Sequence, residues 1–214
     1  MTATPRPVPS SMGDMLDPQR TALLIIDVQN DFVAPDGALG RAGMDLSAVP
    51  AAMTHVRTLI AAARGAGVPL VFARVITTPQ TDTKAQKALA LRSGYGLDAI
   101  AICRKDSEGA QYYQITPETG DIEIEKRLYS CFFDTDLENI LKRKNIDTLV
   151  LAGFSTNCCV ESTARDGFHR DFNIFIAGDA CGDYDPAAHT ASLQAMDSQC
   201  AIPMTTDDVV RAWT

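Results

Sequence analysis

The stretch Ile146 to Gly167 reads IDTLVLAGFSTNCCVESTARDG and decides the fold. Its first part, Thr148 to Ala152, is a short uncharged run rich in leucine and β-branched residues, which is typical of a strand buried on both faces of a parallel sheet. The second part changes to a period of four residues, which predicts a helix that starts near Asn157. The apolar residues of that period are Val160, Ala164 and Phe168. A strand, a tight turn and a helix in succession indicate an α/β fold.

Two adjacent cysteines, Cys158 and Cys159, lie in the first turn of this predicted helix. Unpaired backbone N–H groups and the positive end of the helix dipole favour a thiolate there over a thiol. The same N–H groups can hold an oxyanion, so one turn offers both the nucleophile and the charge stabilisation that acyl transfer needs. Taken alone, a buried cysteine in this position is more often a small hydrophobic residue than a nucleophile.

Two further predicted strands end in a charged residue. The run RTALLIID ends at Asp27 and the run DIEIEK ends at Lys126. Between them, the helical pattern from Asp45 to Gly67 leads into a strand at Leu70 to Val75, and such strand–helix–strand units make the strands parallel. Ligands bind at the carboxyl ends of parallel strands, so we expect these two residues and the turn from Ser155 to Cys159 to share one site. In isolation, Asp27 also suits a turn cap and Lys126 a surface cation.

Length and composition indicate one globular domain. The chain has 214 residues, of which 46% are hydrophobic and 21% charged. We assign residues 1–19 to an irregular N-terminal arm, neither signal peptide nor membrane helix, and residues 20–214 to the domain. A net charge of -8 argues against nucleic acid or an anionic membrane as a partner. We therefore expect a cytoplasmic protein that binds a small molecule.

The cysteine and histidine content argues against a metal centre. The six cysteines are scattered and form no CxxC pair, so they are predicted to be free thiols. With three histidines in the chain, we expect no metal site and no cofactor, and we assign His189 a structural role. The long irregular segment 76–119 is expected to help shape substrate specificity.

Asp27, Lys126 and Cys159, in this order and each at a predicted strand end, resemble the catalytic residues of the isochorismatase-like cysteine hydrolases. The resemblance covers residues 21–204. The run IIDVQNDF is similar to the first motif of the family and EKRLYSCFFDTDL to its lysine motif. The run GFSTNCCVESTARDG is similar to the nucleophile motif, and this alignment selects Cys159 rather than Cys158.

The resemblance implies a three-layer α/β/α fold with a six-stranded, mainly parallel, doubly wound (Rossmann-like) sheet. It implies a catalytic triad of Asp27, Lys126 and Cys159, in which Lys126 lowers the pKa of the thiol. It also implies a cis peptide bond between Phe154 and Ser155, and an oxyanion hole made by the backbone N–H groups of Ser155 and Cys159. The residues expected to line the substrate pocket are Gln29, Phe32, Tyr129, Phe154 and Asn157.

Within the family, the chain is most similar to the branch of ureidoacrylate amidohydrolases and other enzymes acting on carbamoyl compounds. This implies hydrolysis of an amide or ureido C–N bond through a thioacyl-enzyme intermediate, by a homo-oligomer, either a dimer or a tetramer. Three alternatives stay open: a nicotinamidase-like amidase, an enol-ether (isochorismate) hydrolase, and a catalytically silent binding or redox protein. The metal motif of nicotinamidases has no counterpart after Asp27 or Val75.

Overall fold

Six parallel strands form one sheet in the computed structural model, which describes residues 15–94 and 96–214. In chain order the strands are β1 (Thr21–Ile26), β2 (Leu70–Val75), β3 (Ile122–Lys126), β4 (Thr148–Phe154), β5 (Asn173–Gly182) and β6 (Ile202–Met204). Their order across the sheet is β3-β2-β1-β4-β5-β6. The direction of winding therefore reverses between β1 and β4, and the crevice at the carboxyl ends of these two strands is where doubly wound sheets bind ligands. The predicted fold class is confirmed, with every strand of this sheet parallel.

Helices cover both faces of the sheet. They are α1 (Asn30–Val33), α2 (Ala38–Arg41), α3 (Val49–Ala66), α4 (Lys84–Arg92), α5 (Leu137–Arg143), α6 (Glu161–His169), α7 (Pro186–Asp197) and α8 (Thr206–Trp213). On one face α3 and α8 pack on β1, β4 and β5, and on the other face α5, α6 and α7 pack on the opposite side chains of the same strands. Because both faces are covered, the central strands β1 and β4 are buried and uncharged along their whole length. This burial explains the uncharged runs seen in the sequence.

Local sequence signals set where several helices begin and end. The helix predicted between Asp45 and Gly67 begins at Val49, with a proline in its first turn, and ends at Gly67, whose φ of 72° is the left-handed conformation that glycine tolerates. The predicted closing turn at the C-terminus is a helix of 8 residues, α8, which starts with a capping box at Thr205. The helix predicted to start near Asn157 begins with a π-helical turn, Thr156–Val160, that runs into α6.

Residues 1–14 of the predicted N-terminal arm lie outside the described residues. Leu16, in the described part of that arm, is buried in the core face that holds α3. The division into an arm and one domain stays a prediction. Among the described residues, no helix is both long and apolar enough to cross a membrane.

Candidate active site

A buried ion pair lies at the carboxyl ends of β1 and β3. The ammonium nitrogen Nζ of Lys126 donates to Oδ2 of Asp27 at 2.7 Å and to the carbonyl oxygen of Leu128 at 3.1 Å. Both charged side chains have 0% exposure. Asp27 has a φ of 53°, which is uncommon for a residue with a side chain and is found at turns and functional sites. The structure thus brings together two of the three residues that the sequence singled out, although 99 positions separate them.

Burial and neighbouring charges shift the pKa values of both Asp27 and Lys126. Burial raises the pKa of Asp27, while the charge of Lys126 and the thiol of Cys159 act in the opposite direction. Burial is the largest single effect on Lys126 and would lower its pKa, but the charge of and hydrogen bond to Asp27, together with the thiols of Cys159 and Cys131, raise that pKa overall. Oδ1 of Asp27 is buried and has no hydrogen-bond partner among the described residues. Asp27 therefore has one oxygen bound to Lys126 and one available to accept a proton.

Cys159 completes the group from the turn that follows β4. Its side chain is buried, and its thiol is close enough to the carboxylate of Asp27 to affect the pKa of that group. A hydrogen bond with Cys158, burial and the negative charge of Asp27 raise the pKa of Cys159, and the effect of Lys126 is too small to reverse them. The expectation of a lowered Cys159 pKa is therefore wrong. The pKa of Cys158, by contrast, is lowered by its hydrogen bond with Cys159.

Residues after β5 hold the cysteine turn in place. Oδ2 of Asp183 accepts the backbone N–H of Asn157 at 2.8 Å. The hydroxyl of Thr156 donates to the carbonyl oxygen of Gly182 at 3.0 Å and lies 2.8 Å from Nδ1 of His189. His189 thus contacts the turn through Thr156, which fits the structural role expected for it. Sequence reasoning missed Asp183 and Thr156; the acidic run GDYDP after a predicted strand was the available signal.

The peptide bond between Phe154 and Ser155 is cis, as the resemblance implied. Ser155 and Cys159, the first and last residues of the cysteine turn, both line one cavity. The oxyanion hole formed by their backbone N–H groups stays a prediction.

A cavity of about 380 Å³ opens beside Cys159. Phe32 and Tyr129 line it, as expected, but Gln29, Phe154 and Asn157 do not. The amide of Gln29 is buried and bonds to backbone groups of β2 and of Ala110. Phe154 is buried in the core, and Asn157 is exposed on the outer side of its turn. The pocket assignment of these three residues is corrected accordingly.

The long segment 76–119 forms one wall of this cavity. Its lining residues are Gln86, Leu89, Ala90, Ser93, Ala99, Ile100 and Ile102. Oδ2 of Asp31 accepts the backbone N–H of Cys103 at 2.7 Å, and Arg104 forms a two-pronged ion pair with Asp82. The Asp31 contact anchors the wall to the residues that follow β1, and the ion pair joins two parts of the wall to each other. Asp31 was not singled out from the sequence, although it belongs to the motif that contains Asp27.

No group of three or more His, Cys, Asp and Glu side chains in residues 15–94 and 96–214 is arranged to hold a metal ion. The site instead holds the buried Asp27–Lys126 pair, and the ionisable side chains that line the cavity are those of Arg127, Tyr129, Cys158, Cys159 and Tyr184. This arrangement can support nucleophilic chemistry at a carbonyl carbon.

Known proteins resemble this chain over most of its length. The family model for the isochorismatase domain matches residues 21–208. A ureidoacrylate amidohydrolase from Methylobacterium radiotolerans is 32% identical over 209 residues, which are 92% of this chain and 79% of the relative. The crystal structure of a cysteine hydrolase from Pseudomonas syringae pv. phaseolicola has a TM-score of 0.78 at 26% identity, covering 92% of this chain and 93% of that one. The N-carbamoylsarcosine amidase from Thermoplasma acidophilum has a TM-score of 0.69 at 25% identity, covering 88% and 97%.

Proposed function

Because the chain belongs to the isochorismatase family, we propose that it is an amidohydrolase that cleaves a C–N bond of a small amide or ureido compound with Cys159 as nucleophile. The names of its relatives, ureidoacrylate amidohydrolase and N-carbamoylsarcosine amidase, describe hydrolysis of such bonds. The observation that carries the proposal is the fully buried Asp27–Lys126 pair beside a cysteine that opens onto a cavity.

In the first step, the Cys159 thiol transfers its proton to Oδ1 of Asp27 while Sγ attacks the substrate carbonyl carbon. A C–S bond forms, and the carbonyl π electrons move onto the oxygen, which the N–H groups of Ser155 and Cys159 stabilise. Burial raises the pKa of Asp27, so this carboxylate is a stronger base than an exposed aspartate. Proton transfer in the attacking step makes a thiolate in the resting enzyme unnecessary.

In the second step, the oxyanion electrons return to the carbonyl and the C–N bond breaks. The departing nitrogen takes the proton from Asp27, and a thioacyl-enzyme remains. Water then attacks the thioester as Asp27 accepts a water proton, the C–S bond breaks, and the proton returns to Cys159 sulfur. Lys126 stays protonated throughout, since its pKa is raised, and keeps the carboxylate oriented.

We also propose that the enzyme acts as a homo-oligomer in the cytoplasm. The family resemblance supports assembly, and the six free cysteines are consistent with a reducing compartment. Light scattering would test the first point, since a single chain has a mass of 23.0 kDa.

Ammonia release from a panel of ureido acids and primary amides tests the proposed reaction. We expect Cys159→Ala, Asp27→Asn and Lys126→Met each to lower kcat by about 10³-fold or more, because they act as one unit. Wild-type enzyme quenched during turnover should carry the mass of an acyl group on Cys159. The matched control is Cys158→Ala, which alters the neighbouring thiol of the same cavity. Full activity in Cys159→Ala, or its loss in Cys158→Ala alone, would overturn the assignment.

A further inference from the structure

The cavity beside Cys159 has a largely apolar wall. Alkyl side chains from α2, from α4 and from the segment after α4 face the cysteine turn across it. They are Leu39, Leu89, Ala90, Ala99, Ile100 and Ile102. Leu89 is 46% exposed, which puts it at the open side of the cavity. An apolar substituent that enters here gains free energy in proportion to the apolar area that leaves water.

Positive charge is scarce on the same wall. Arg127 is the only charged residue among the described residues that line the cavity. Its guanidinium lies 2.9 Å from the carboxylate of Asp134 and 5.5 Å from the centre of the Phe133 ring. The charge of Lys126 is bound to Asp27 and shielded from solvent. A substrate carboxylate would therefore meet one cation, which already pairs with Asp134 and whose buried Nε–H has no partner among the described residues.

Two of the polar side chains on the wall already have protein partners. The Tyr184 hydroxyl donates to the carbonyl oxygen of Phe32 at 3.2 Å, and Oε1 of Gln86 accepts the N–H of Thr83 at 2.9 Å. Moving a carboxylate against the alkyl part of the wall removes its water without replacing the lost hydrogen bonds there, which is costly.

We propose that the substrates are uncharged amides or ureides whose non-reacting part is an alkyl or aryl group, rather than ureido acids. This inference rests on the amidohydrolase function proposed above and specifies its substrate class. The apolar part lies against the wall made by α4 and the segment after it, while the reacting carbonyl lies at Cys159.

Matched substrate pairs that differ only in a terminal carboxylate test the inference. Hexanamide is compared with adipic acid monoamide, and N-pentylurea with 5-ureidopentanoate. We expect kcat/KM to be about 50-fold or more higher for the uncharged member of each pair, since the carboxylate loses its hydration. From propanamide to hexanamide, each added methylene should raise kcat/KM by about two- to fourfold, the range for partial to full burial.

A variant of the wall provides the structural test. Leu89→Arg places a cation at the open side of the cavity and should narrow the ratio within each pair by about two- to fivefold, the range for a partly exposed ion pair. Leu91→Arg is the matched control, because Leu91 is 61% exposed on the same helix and does not line the cavity. A ratio that Leu89→Arg and Leu91→Arg change equally contradicts the assigned wall.

The outcomes separate this inference from the function on which it rests. Equal or higher kcat/KM for the acid members overturns the inference and leaves the amidohydrolase function standing. If no member of either pair is hydrolysed, the proposed function fails for these amides and ureides. In that case, the preference of the cavity for an uncharged ligand is measured with hexanal and 6-oxohexanoate. The Cys159 sulfur adds to the aldehyde carbon of either compound, and the thiol proton moves to the aldehyde oxygen. Better protection of Cys159 from iodoacetamide by hexanal, in the Cys158→Ala variant, supports the inference, and equal or weaker protection overturns it.

Discussion

The side chain of Gln29 pairs with the backbone of Val75 as an adjacent strand would. Its Oε1 accepts the N–H of Val75 at 2.7 Å, and its Nε2 donates to the carbonyl oxygen of Val75 at 2.9 Å. The same Nε2 donates to the carbonyl oxygen of Ala110 at 2.9 Å. Val75 pairs with Lys126 in the sheet, so this amide links the residues after Asp27 to the strand ends that carry the ion pair.

We expect Gln29→Leu to lower the free energy of unfolding by about 1–3 kcal/mol, because it leaves buried backbone groups without partners. Urea unfolding measures the change. In the control, Asn30→Ala removes one hydrogen bond to the carbonyl oxygen of Glu108 at a more exposed position and should cost about 0.5 kcal/mol. Equal losses in the two variants would show that the amide of Gln29 has no special structural role.

The Asp27–Lys126 pair should show strong coupling in a double-mutant cycle. Lys126→Met leaves a buried carboxylate without its cation and should cost about 3–5 kcal/mol of stability. Adding Asp27→Asn removes that charge. The double variant should therefore lose about 1–3 kcal/mol less unfolding free energy than the two single losses added together. The cycle is measured by denaturant unfolding at pH 7. Additive effects would mean that the two side chains do not interact in solution.

The pH dependence of kcat/KM should report the Asp27 carboxylate. The reaction needs this group deprotonated, and burial raises its pKa above the ordinary value of 3.8. Activity should therefore fall as pH drops, with a midpoint above 3.8. The pKa of Lys126 is raised, so its deprotonation should produce no loss of activity on the alkaline side up to about pH 10. Circular dichroism over the same range separates loss of activity from unfolding, and an acid midpoint at or below 3.8 contradicts this assignment.

The two adjacent thiols should differ in their reaction with iodoacetamide. At pH 8 we expect Cys158 to be labelled before Cys159, because the pKa of Cys158 is lowered and that of Cys159 is raised. Peptide mass spectrometry follows both sites. Cys158→Ala removes the hydrogen bond that raises the Cys159 pKa and should speed labelling of Cys159. Faster labelling of Cys159 than Cys158 in the wild type would reverse the order that we derive from burial and charge.

The amino-acid sequence by itself determined the fold and the family. Uncharged runs such as Thr148 to Ala152 become central strands because both faces of the sheet are covered by helices. Parallel strands place their carboxyl ends at one edge, so charged residues at strand ends, Asp27 and Lys126, were expected to meet, and they do. These inferences depend on periodicity and chain direction, which are local properties of the sequence.

The lining of the cavity and the direction in which the pKa of Cys159 shifts depend on the tertiary structure. Gln29 and Phe154 were expected in the pocket from the family resemblance, but both side chains are buried in the protein interior. Leu89 and Ile102, from the segment 76–119, line the cavity instead. The pKa of Cys159 is raised by its hydrogen bond with Cys158, by burial and by the charge of Asp27, and the last two effects depend on contacts between residues far apart in the chain. The position of Cys159 at a helix N-terminus predicted a lowered pKa. That prediction was wrong because burial and a neighbouring negative charge outweigh the effect of the helix N-terminus.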